Sequence, residues 1–442
     1  MNRSDAARWL RRWRSDVLRQ GRVVAHLVRW AVLGAASGAL AGAMSYLFLE
    51  AVRLVTEWRV EHGWVVFALP AAGVGIGVVY HRWGDRSGGG NSLILEEIHS
   101  PTAWLPRRMA PLVFGGTVAS LLFGASVGRE GTAIQMSGSM TDWLSRLLRL
   151  SPGDRRLLLI AAIAGGFGSV FGVPLAGAVF ALEVQAVGRI RYDALVPALV
   201  ASVVGDRVVS GLGYEHPLLP QMVVDLDATF LLKVAAAGIA FGLVSTCFSG
   251  STHVVKRAAA RVVPWPPARL ALGGVATVIL MLLVGRDYLG LSLPLIDQTL
   301  AGIDPGTTAF AWKLVFTVIA LGCGFPGGEV TPLFVIGTTL GGALAGPLAI
   351  PVAVLGSVGF VAVFAGAANT PLACTIMGVE LFGRGAVVPV ALGCVIAYVT
   401  SSHRGIYASQ RITVGKGHHA IDDFPTVADW HTANHDRRPR RP

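Results

Sequence analysis

One long stretch without charge limits what this chain can become. Val330–Val379 contains no Asp, Glu, Lys or Arg. A membrane-spanning helix needs about 20 mostly apolar residues, so this stretch alone is long enough for two crossings. Soluble domains carry about 25% charged residues, whereas this chain has 14% charged and 53% hydrophobic residues. Because charged surface is too scarce for two or three soluble domains, we predict an all-α polytopic membrane protein.

The net charge of +11 is concentrated at the two ends of the chain. Lys and Arg accumulate on the cytoplasmic side of membrane proteins. We therefore predict two cytoplasmic termini in a bacterial inner membrane, and an even number of full crossings. Residues 1–29 are predicted to form a basic amphipathic segment on the lipid surface, residues 30–412 the transmembrane domain and residues 413–442 a basic tail. A nucleic-acid partner is not expected, since no folded domain is available to present this charge.

An internal repeat divides the transmembrane domain into halves of about 30–210 and 229–400. The first half has Gly-Arg-Glu-Gly-Thr at Gly128–Thr132 and a Pro-Leu-Ala block ending in Glu at Phe171–Glu183. The second half has Gly-Gly-Glu-Val-Thr-Pro at Gly327–Pro332 and a matching block at Ala368–Glu380. Helices interrupted at corresponding places of two halves indicate a transport site near the bilayer midplane.

The first Gly-rich turn has the chemistry of an anion site. Glycines let the backbone expose its N–H groups, and the helix that follows directs its positive end at the turn. The backbone of Gly128, Arg129 and Gly131 is therefore a candidate anion ligand. Glu130 places a carboxylate where the anion would lie, so its protonation could couple proton movement to anion movement. The alternative is that Glu130 only caps its own helix.

The second turn repeats this arrangement. Val330 and Thr331 could offer backbone N–H groups to an anion, and Thr331 a hydroxyl as well. Pro332 suits the start of a helix, where no N–H is needed. Glu329 is an ionisable residue at membrane depth, which is a functional hypothesis by default. The alternative for Glu329 is a structural ion pair with an arginine.

Two weaker candidates complete the predicted site. Asn91 and Ser92 follow a run of glycines and precede an apolar helix, so both could donate hydrogen bonds to an anion. A flexible loop between helices is the alternative for this turn. Tyr407 follows the last apolar run and could donate one phenolic hydrogen bond, or it could be an aromatic residue at the membrane interface.

Together these segments resemble the CLC family of chloride channels and anion/proton antiporters over most of residues 30–412. The resemblance implies an inverted-topology repeat of broken and tilted helices, a homodimer and one anion pathway per subunit. It implies that Glu130 is the external gate and proton acceptor, and that Tyr407 helps to coordinate the central anion. Asn91 would stand at the position of the serine that contacts the anion in the family's chloride transporters.

The departures from the chloride transporters resemble the bacterial fluoride/proton antiporter branch of the family. That branch lacks the usual serine and the inner glutamate, whose position is Val184 here, and it has a Gly-Glu-Val-Thr-Pro segment. Asn91 and Thr331 are then candidate fluoride ligands, and Glu329 and Glu183 candidate members of a proton path. We predict fluoride export by fluoride/proton antiport. The alternative is a chloride or broad anion channel, or a chloride/proton antiporter, of the same fold.

An intramembrane enzyme is the alternative from another class. The chain has no Gly-x-Ser-x-Gly elbow and no His-Glu-x-x-His helix. The four cysteines have no metal-ligand spacing. We therefore expect no enzymatic activity, no metal and no cofactor. The expected partners are fluoride or chloride, protons, membrane lipid and a second copy of the chain.

Overall fold

The computed structural model describes residues 3–403, 405–416, 426–427 and 429, with side chains from Gln20 onward. Sixteen α-helices and one two-residue parallel strand pair make up the described chain, with short 3-10 turns between some helices. The first eight helices are α1 (Arg3–Glu61), α2 (Leu69–Trp83), α3 (Gly90–His99), α4 (Met109–Leu122), α5 (Glu130–Leu147), α6 (Pro152–Phe171), α7 (Pro174–Glu183) and α8 (Leu195–Gly211). The other eight are α9 (Ala228–Val262), α10 (Pro266–Val284), α11 (Leu293–Leu300), α12 (Ala309–Cys323), α13 (Val330–Leu348), α14 (Val352–Ala368), α15 (Pro371–Phe382) and α16 (Val387–Thr400).

The two sets of eight helices correspond in order. α6 and α14 both end in a residue with left-handed backbone, Gly172 at φ 70° and Asn369 at φ 58°. Glycine and asparagine are the residues that adopt this helix-ending conformation most readily. A short extended segment follows each of them, and then α7 and α15 begin with Pro174 and Pro371. The internal repeat read from the sequence is therefore a repeat of structure as well.

Reciprocal hydrogen bonds join α7 and α15 end to end. Glu183, at the end of α7, accepts hydrogen bonds from the backbone N–H groups of Leu372 (3.1 Å) and Ala373 (2.8 Å) in the first turn of α15. Glu380, near the end of α15, accepts them from Leu175 (2.9 Å) and Ala176 (2.8 Å) in the first turn of α7. Each carboxylate thus lies at the positive end of the other half's helix, which stabilises both helices. A twofold relation between the two helices produces this kind of mutual capping.

The segment after α16 returns to the centre of the molecule. Its strand β2 (Arg411–Ile412) pairs in parallel with β1 (Ala186–Val187), which follows α7. Within the described chain, this pair and two isolated β-bridges, Gly128–Gly328 and Arg411–Thr426, are the β-structure in an otherwise α-helical fold. The β1–β2 pair places the residues before β2, including Tyr407, between the two halves.

Six helical segments in the described residues are long and apolar enough to cross a membrane, three in each half. They are Gln20–Glu61, Gly63–Trp83, Tyr192–Gly211, Ala228–Val262, Pro266–Val284 and Val330–Leu348. Six other apolar helical segments have only 10–17 residues, as expected for helices that are broken within the membrane.

The predicted N-terminal boundary of the transmembrane domain does not coincide with the end of a helix. α1 is continuous over 59 residues, so the predicted boundary between residues 29 and 30 lies inside a helix. The amphipathic side-chain pattern predicted before Gln20, and most of the basic tail 413–442, lie outside the described residues and side chains.

Candidate functional site

The two Gly-rich turns of the repeat meet in an antiparallel bridge. The N–H of Gly128 donates to the carbonyl of Gly328 at 2.6 Å, and the N–H of Gly328 donates to the carbonyl of Gly128 at 2.8 Å. A side chain at Gly328 would put its Cβ 2.8 Å from the backbone nitrogen of Gly131, so the approach requires glycine. The bridge brings the N-termini of α5 and α13 together, and with them the positive ends of both helices.

Glu130 extends across this bridge to the other half of the molecule. Its side chain is fully buried. The carboxylate accepts hydrogen bonds from the backbone N–H of Thr331 at 3.1 Å and from the Thr331 hydroxyl. It also accepts one from the N–H of Arg129 at 3.1 Å. Glu130 therefore caps the first turn of α13. The alternative interpretation from the sequence was that it caps only its own helix, α5.

The charges around the two glutamates differ. The Arg129 guanidinium lies 3.8 Å from the Glu130 carboxylate, and its Nε has no hydrogen-bond partner within the described chain. Arg129 is thus the counter-charge of Glu130. Among the described residues no ion pair joins Glu329 to an arginine, and Glu329 shares the lining of one cavity with Lys256 of α9.

A cavity of about 290 Å³ lies below the bridge. Asn91, Ser92, Glu329 and Tyr407 all line it, so these four predicted site residues share one space. The Asn91 side-chain oxygen and the Tyr407 hydroxyl are buried and, among the described residues, have no hydrogen-bond partner. The Tyr407 hydroxyl is therefore free to donate to an anion in the cavity, whereas the Asn91 oxygen can only accept, from a water or another donor. Asn91 belongs to the first turn of α3 and is therefore not part of a flexible loop. Tyr407 is only 4% exposed and is therefore not an aromatic residue at the membrane interface.

Glu130 and Thr331 do not line this cavity but lie behind its wall. Gly131, next to Glu130, lies against two side chains of the cavity lining. A Cβ on Gly131 would be 3.1 Å from the Asn91 amide nitrogen and 3.7 Å from the Gln135 amide nitrogen. The amide side chains of Asn91 and Gln135 thus separate the cavity from the turn that carries the carboxylate. Val330 is the first residue of α13 and is buried beside Thr331.

Sequence reasoning missed several polar residues of the cavity. Gln135 and Thr132 line it from α5, and the Thr132 hydroxyl is 2.7 Å from that of Thr117. α9 contributes a polar stripe along one face, made of Ser249, Thr252, His253 and Lys256. Their spacing of three, one and three residues is that of a single helical face, so this stripe could have been found in the sequence. Gln135 carries no such signal.

Glu183 is the one predicted site residue that lies elsewhere. Its carboxylate is engaged by the first turn of α15 and does not line the cavity. The loop residue His216 packs against Gly172, and burial together with the Arg129 charge lowers the pKa of His216 to about 4.

Comparisons with known proteins agree on one family. The model of the voltage gated chloride channel family matches residues 72–402. The chain is 44% identical over 414 residues to the chloride/fluoride channel protein of Pseudomonas syringae pv. tomato, covering 91% of both chains. It is 26% identical over 420 residues to the H(+)/Cl(-) exchange transporter ClcA of Vibrio parahaemolyticus, covering 85% of this chain and 86% of the relative.

Solved structures give the same result. The crystal structure of a CLC-type fluoride/proton antiporter superposes with a TM-score of 0.85 at 33% identity, covering 87% of this chain and 98% of that one. A slow cyanobacterial Cl−/H+ antiporter, at 20% identity and a TM-score of 0.73, shares the fold. These findings confirm the predicted resemblance and the predicted α-helical inverted repeat. The chain is a membrane protein that belongs to the CLC family, whose members are channels or transporters.

Proposed function

We propose that this protein exports fluoride by fluoride/proton antiport, with Glu130 as the gate and proton acceptor. The observation that carries the proposal is the position of the Glu130 carboxylate, which accepts two hydrogen bonds from Thr331 at the start of α13. A helix start with free N–H groups binds anions. An ionised Glu130 therefore occupies an anion site, and a protonated Glu130 has less reason to stay there. Protonation of Glu130 therefore frees the site for an anion, and deprotonation lets the carboxylate take the site back.

The hydrogen-bond donors near the gate support fluoride as the anion. Fluoride is small and a strong hydrogen-bond acceptor, so amide and hydroxyl donors such as Asn91, Ser92, Thr331 and Tyr407 suit it. The relative at 44% identity is named a chloride/fluoride channel protein, and the structure at 33% identity is of a fluoride/proton antiporter. The backbone N–H groups of Arg129 and Thr331, which hold the Glu130 carboxylate, become donors to the anion when that carboxylate leaves.

A proton route on the cavity side is assigned to Glu329 first. Glu329 lines the cavity and belongs to the same turn as Thr331, which binds the Glu130 carboxylate. Glu183 stays a second candidate, although both of its carboxylate oxygens accept backbone hydrogen bonds. Val184 takes the place of the inner glutamate of the chloride antiporters, so the route does not follow theirs.

The cellular setting follows from the charge distribution. With the basic N-terminus in the cytoplasm of a bacterium, α1 ends at the outer face of the inner membrane. α9, its inverted counterpart, then ends at the inner face, so the cavity with Lys256 opens towards the cytoplasm. Residues 30–412 form the transport domain, two copies associate as a homodimer, and the protein performs no enzymatic reaction.

Flux measurements in liposomes test the proposal. The purified protein is reconstituted in fluoride-loaded or chloride-loaded vesicles, and efflux is recorded with ion-selective electrodes while external pH is followed. We expect fluoride efflux to exceed chloride efflux and to drive proton uptake. Glu130→Gln should abolish proton uptake, because glutamine cannot exchange a proton. Glu57→Gln, at an exposed carboxylate of α1, is the matched control and should leave coupling intact.

A passive channel is the second candidate, because the relative at 44% identity is named a channel. Fluoride efflux without proton movement in the unmodified protein would favour the channel. Chloride efflux equal to or faster than fluoride efflux would overturn the assignment of the anion.

A further inference from the structure

A fully buried lysine lies outside the cavity described above. Lys313 is in the first turns of α12, and its side chain is 0% exposed. Its ammonium group donates hydrogen bonds to the carbonyls of Gly290 (2.7 Å) and Tyr288 (3.3 Å) and to the hydroxyl of Ser292 (2.9 Å). All three acceptors are neutral, so these contacts satisfy its hydrogen bonds and leave its charge uncompensated.

A second buried cation lies against the same turn. Arg59, near the end of α1, is 9% exposed, and its Nη1 is buried and has no hydrogen-bond partner in the described chain. The guanidinium lies over Gly290, where a Cβ would be 2.4 Å from Nη1. Lys313 binds the carbonyl of Gly290, and Gly290 has φ +58°. The two cations therefore meet around one glycine that no larger residue could replace without displacing the guanidinium.

No carboxylate neutralises this pair among the residues that the structure describes. The ion pairs there join other arginines to their acids, and none of them includes Arg59 or Lys313. Burying one unpaired cation is costly, and burying two of the same sign side by side is more so. Such an arrangement is stabilised by a small anion between or beside the two groups.

We propose that Arg59, Lys313 and the turn at Gly290 form a second anion site, which takes a small monovalent anion of the halide class. The unpartnered Nη1 of Arg59 supplies the donor, and Lys313 supplies the second positive charge. A halide suits it better than a carboxylate or a phosphate, because burial leaves room for few ligand atoms. The site does not depend on proton coupling at Glu130.

The site is connected to the gate but lies towards the opposite face from the cavity. Thr317, one turn after Lys313, places its hydroxyl 2.9 Å from that of Ser126, two residues before Gly128. Arg59 is near the end of α1, whereas Lys256 at the cavity is near the end of α9, and these helices run in opposite directions in an inverted repeat. An anion at Arg59 would therefore lie beyond the gate, on the side where exported anion leaves.

Anomalous diffraction from crystals soaked in bromide tests the site directly. We expect a bromide peak within hydrogen-bonding distance of the Arg59 guanidinium in the unmodified protein. The peak should disappear in Arg59→Gln and persist in Arg53→Gln, whose arginine lies on the same helix but pairs with Glu50 and Glu57 at the surface. Absence of the peak in the unmodified protein at saturating bromide overturns the proposal, whether or not the variant folds.

Flux gives the functional readout. Positive charge near a pathway raises the local anion concentration and can change on-rates by about 10-fold or more at low ionic strength. We expect Arg59→Gln to raise the half-saturating anion concentration on the outer face by about fivefold at low salt, with a smaller effect at high salt. An unchanged value would contradict a role in transport. Because bromide binding is scored without proton coupling, failure of this site is distinguishable from failure of the proposed antiport.

Discussion

Thr331 is the residue on which the geometry of the gate most depends. It donates two hydrogen bonds to the Glu130 carboxylate, one from its backbone and one from its hydroxyl. The backbone donor exists for any residue at this position, whereas the hydroxyl belongs to Ser or Thr alone. A substitution here therefore separates the contribution of the helix start from that of the side chain.

Thr331→Val should weaken the binding of fluoride. A hydrogen bond to a charged group contributes about 1.5–3 kcal/mol, which corresponds to roughly 10-fold or more in an equilibrium constant. We expect the half-saturating fluoride concentration in liposome efflux to rise about 10-fold, and Thr331→Ser to stay within about threefold of the unmodified protein.

Thr338→Val is the matched control for this prediction. Thr338 is buried two turns further along α13, and its hydroxyl has no partner in the described part of the chain. Equal effects of the two valine substitutions would show that the Thr331 result reflects packing of α13 and not the gate.

Which site residues could be predicted depended on whether they stand at a helix start. Asn91, Glu130 and Thr331 all follow glycines and open helices, so local sequence reveals them. Gln135 is inside α5, where only the packing of α3 against α5 turns it towards the cavity. Lys256 is inside α9, in a polar stripe whose spacing is visible in the sequence, but only the packing of α9 shows that this face borders the cavity.

The helices α7 and α15 were predictable as a pair from their Pro-Leu-Ala blocks, but their mutual capping was not. A terminal glutamate in each block was visible in the sequence. That each glutamate binds the opposite helix depends on the twofold relation between the halves, which no local pattern encodes. Likewise residues 157–182 carry no charged side chain, yet they form parts of two helices, because the chain turns at Gly172 with φ 70°.

Neutralising the capping glutamates distinguishes two roles for Glu183, which are helix capping and proton transfer. A carboxylate at a helix N-terminus contributes about 0.3–2 kcal/mol, and glutamine keeps only part of this. We expect Glu183→Gln and Glu380→Gln to lower the thermal unfolding midpoint by similar amounts and to leave the number of protons moved per fluoride unchanged. Glu380→Gln is the matched control, since it removes the equivalent cap.

Loss of proton coupling in Glu183→Gln alone would contradict a purely capping role. It would place Glu183 on the proton path beside Glu329. Equal loss of coupling in both variants would point instead to the docking of α7 against α15.

At the scale of the whole molecule, the two halves are closed by the segment that follows α16. Gln410 is fully buried, and its amide donates to the carbonyls of Val184 (2.9 Å) and Ala368 (3.0 Å), one in each half. Its side-chain oxygen accepts from the Asn369 amide at 2.9 Å. The N–H of Gln410 also closes a turn with the carbonyl of Tyr407 at 3.1 Å. One side chain thus holds both halves and the segment that carries Tyr407.

Gln410→Leu should therefore disturb the molecule at its centre without introducing a clash. Leucine leaves two carbonyls and one amide buried without partners, and each such group costs about 1–3 kcal/mol. We expect a lower thermal midpoint, faster amide hydrogen exchange in the segment from Gly405 to Ile412, and slower fluoride efflux, because Tyr407 loses its fixed position at the cavity. Gln185→Leu is the matched control, since Gln185 is equally buried but donates only within the first half, to Ala181. If the two variants accelerated exchange in this segment equally, the closure of the halves would rest on the β1–β2 backbone pairing and not on Gln410.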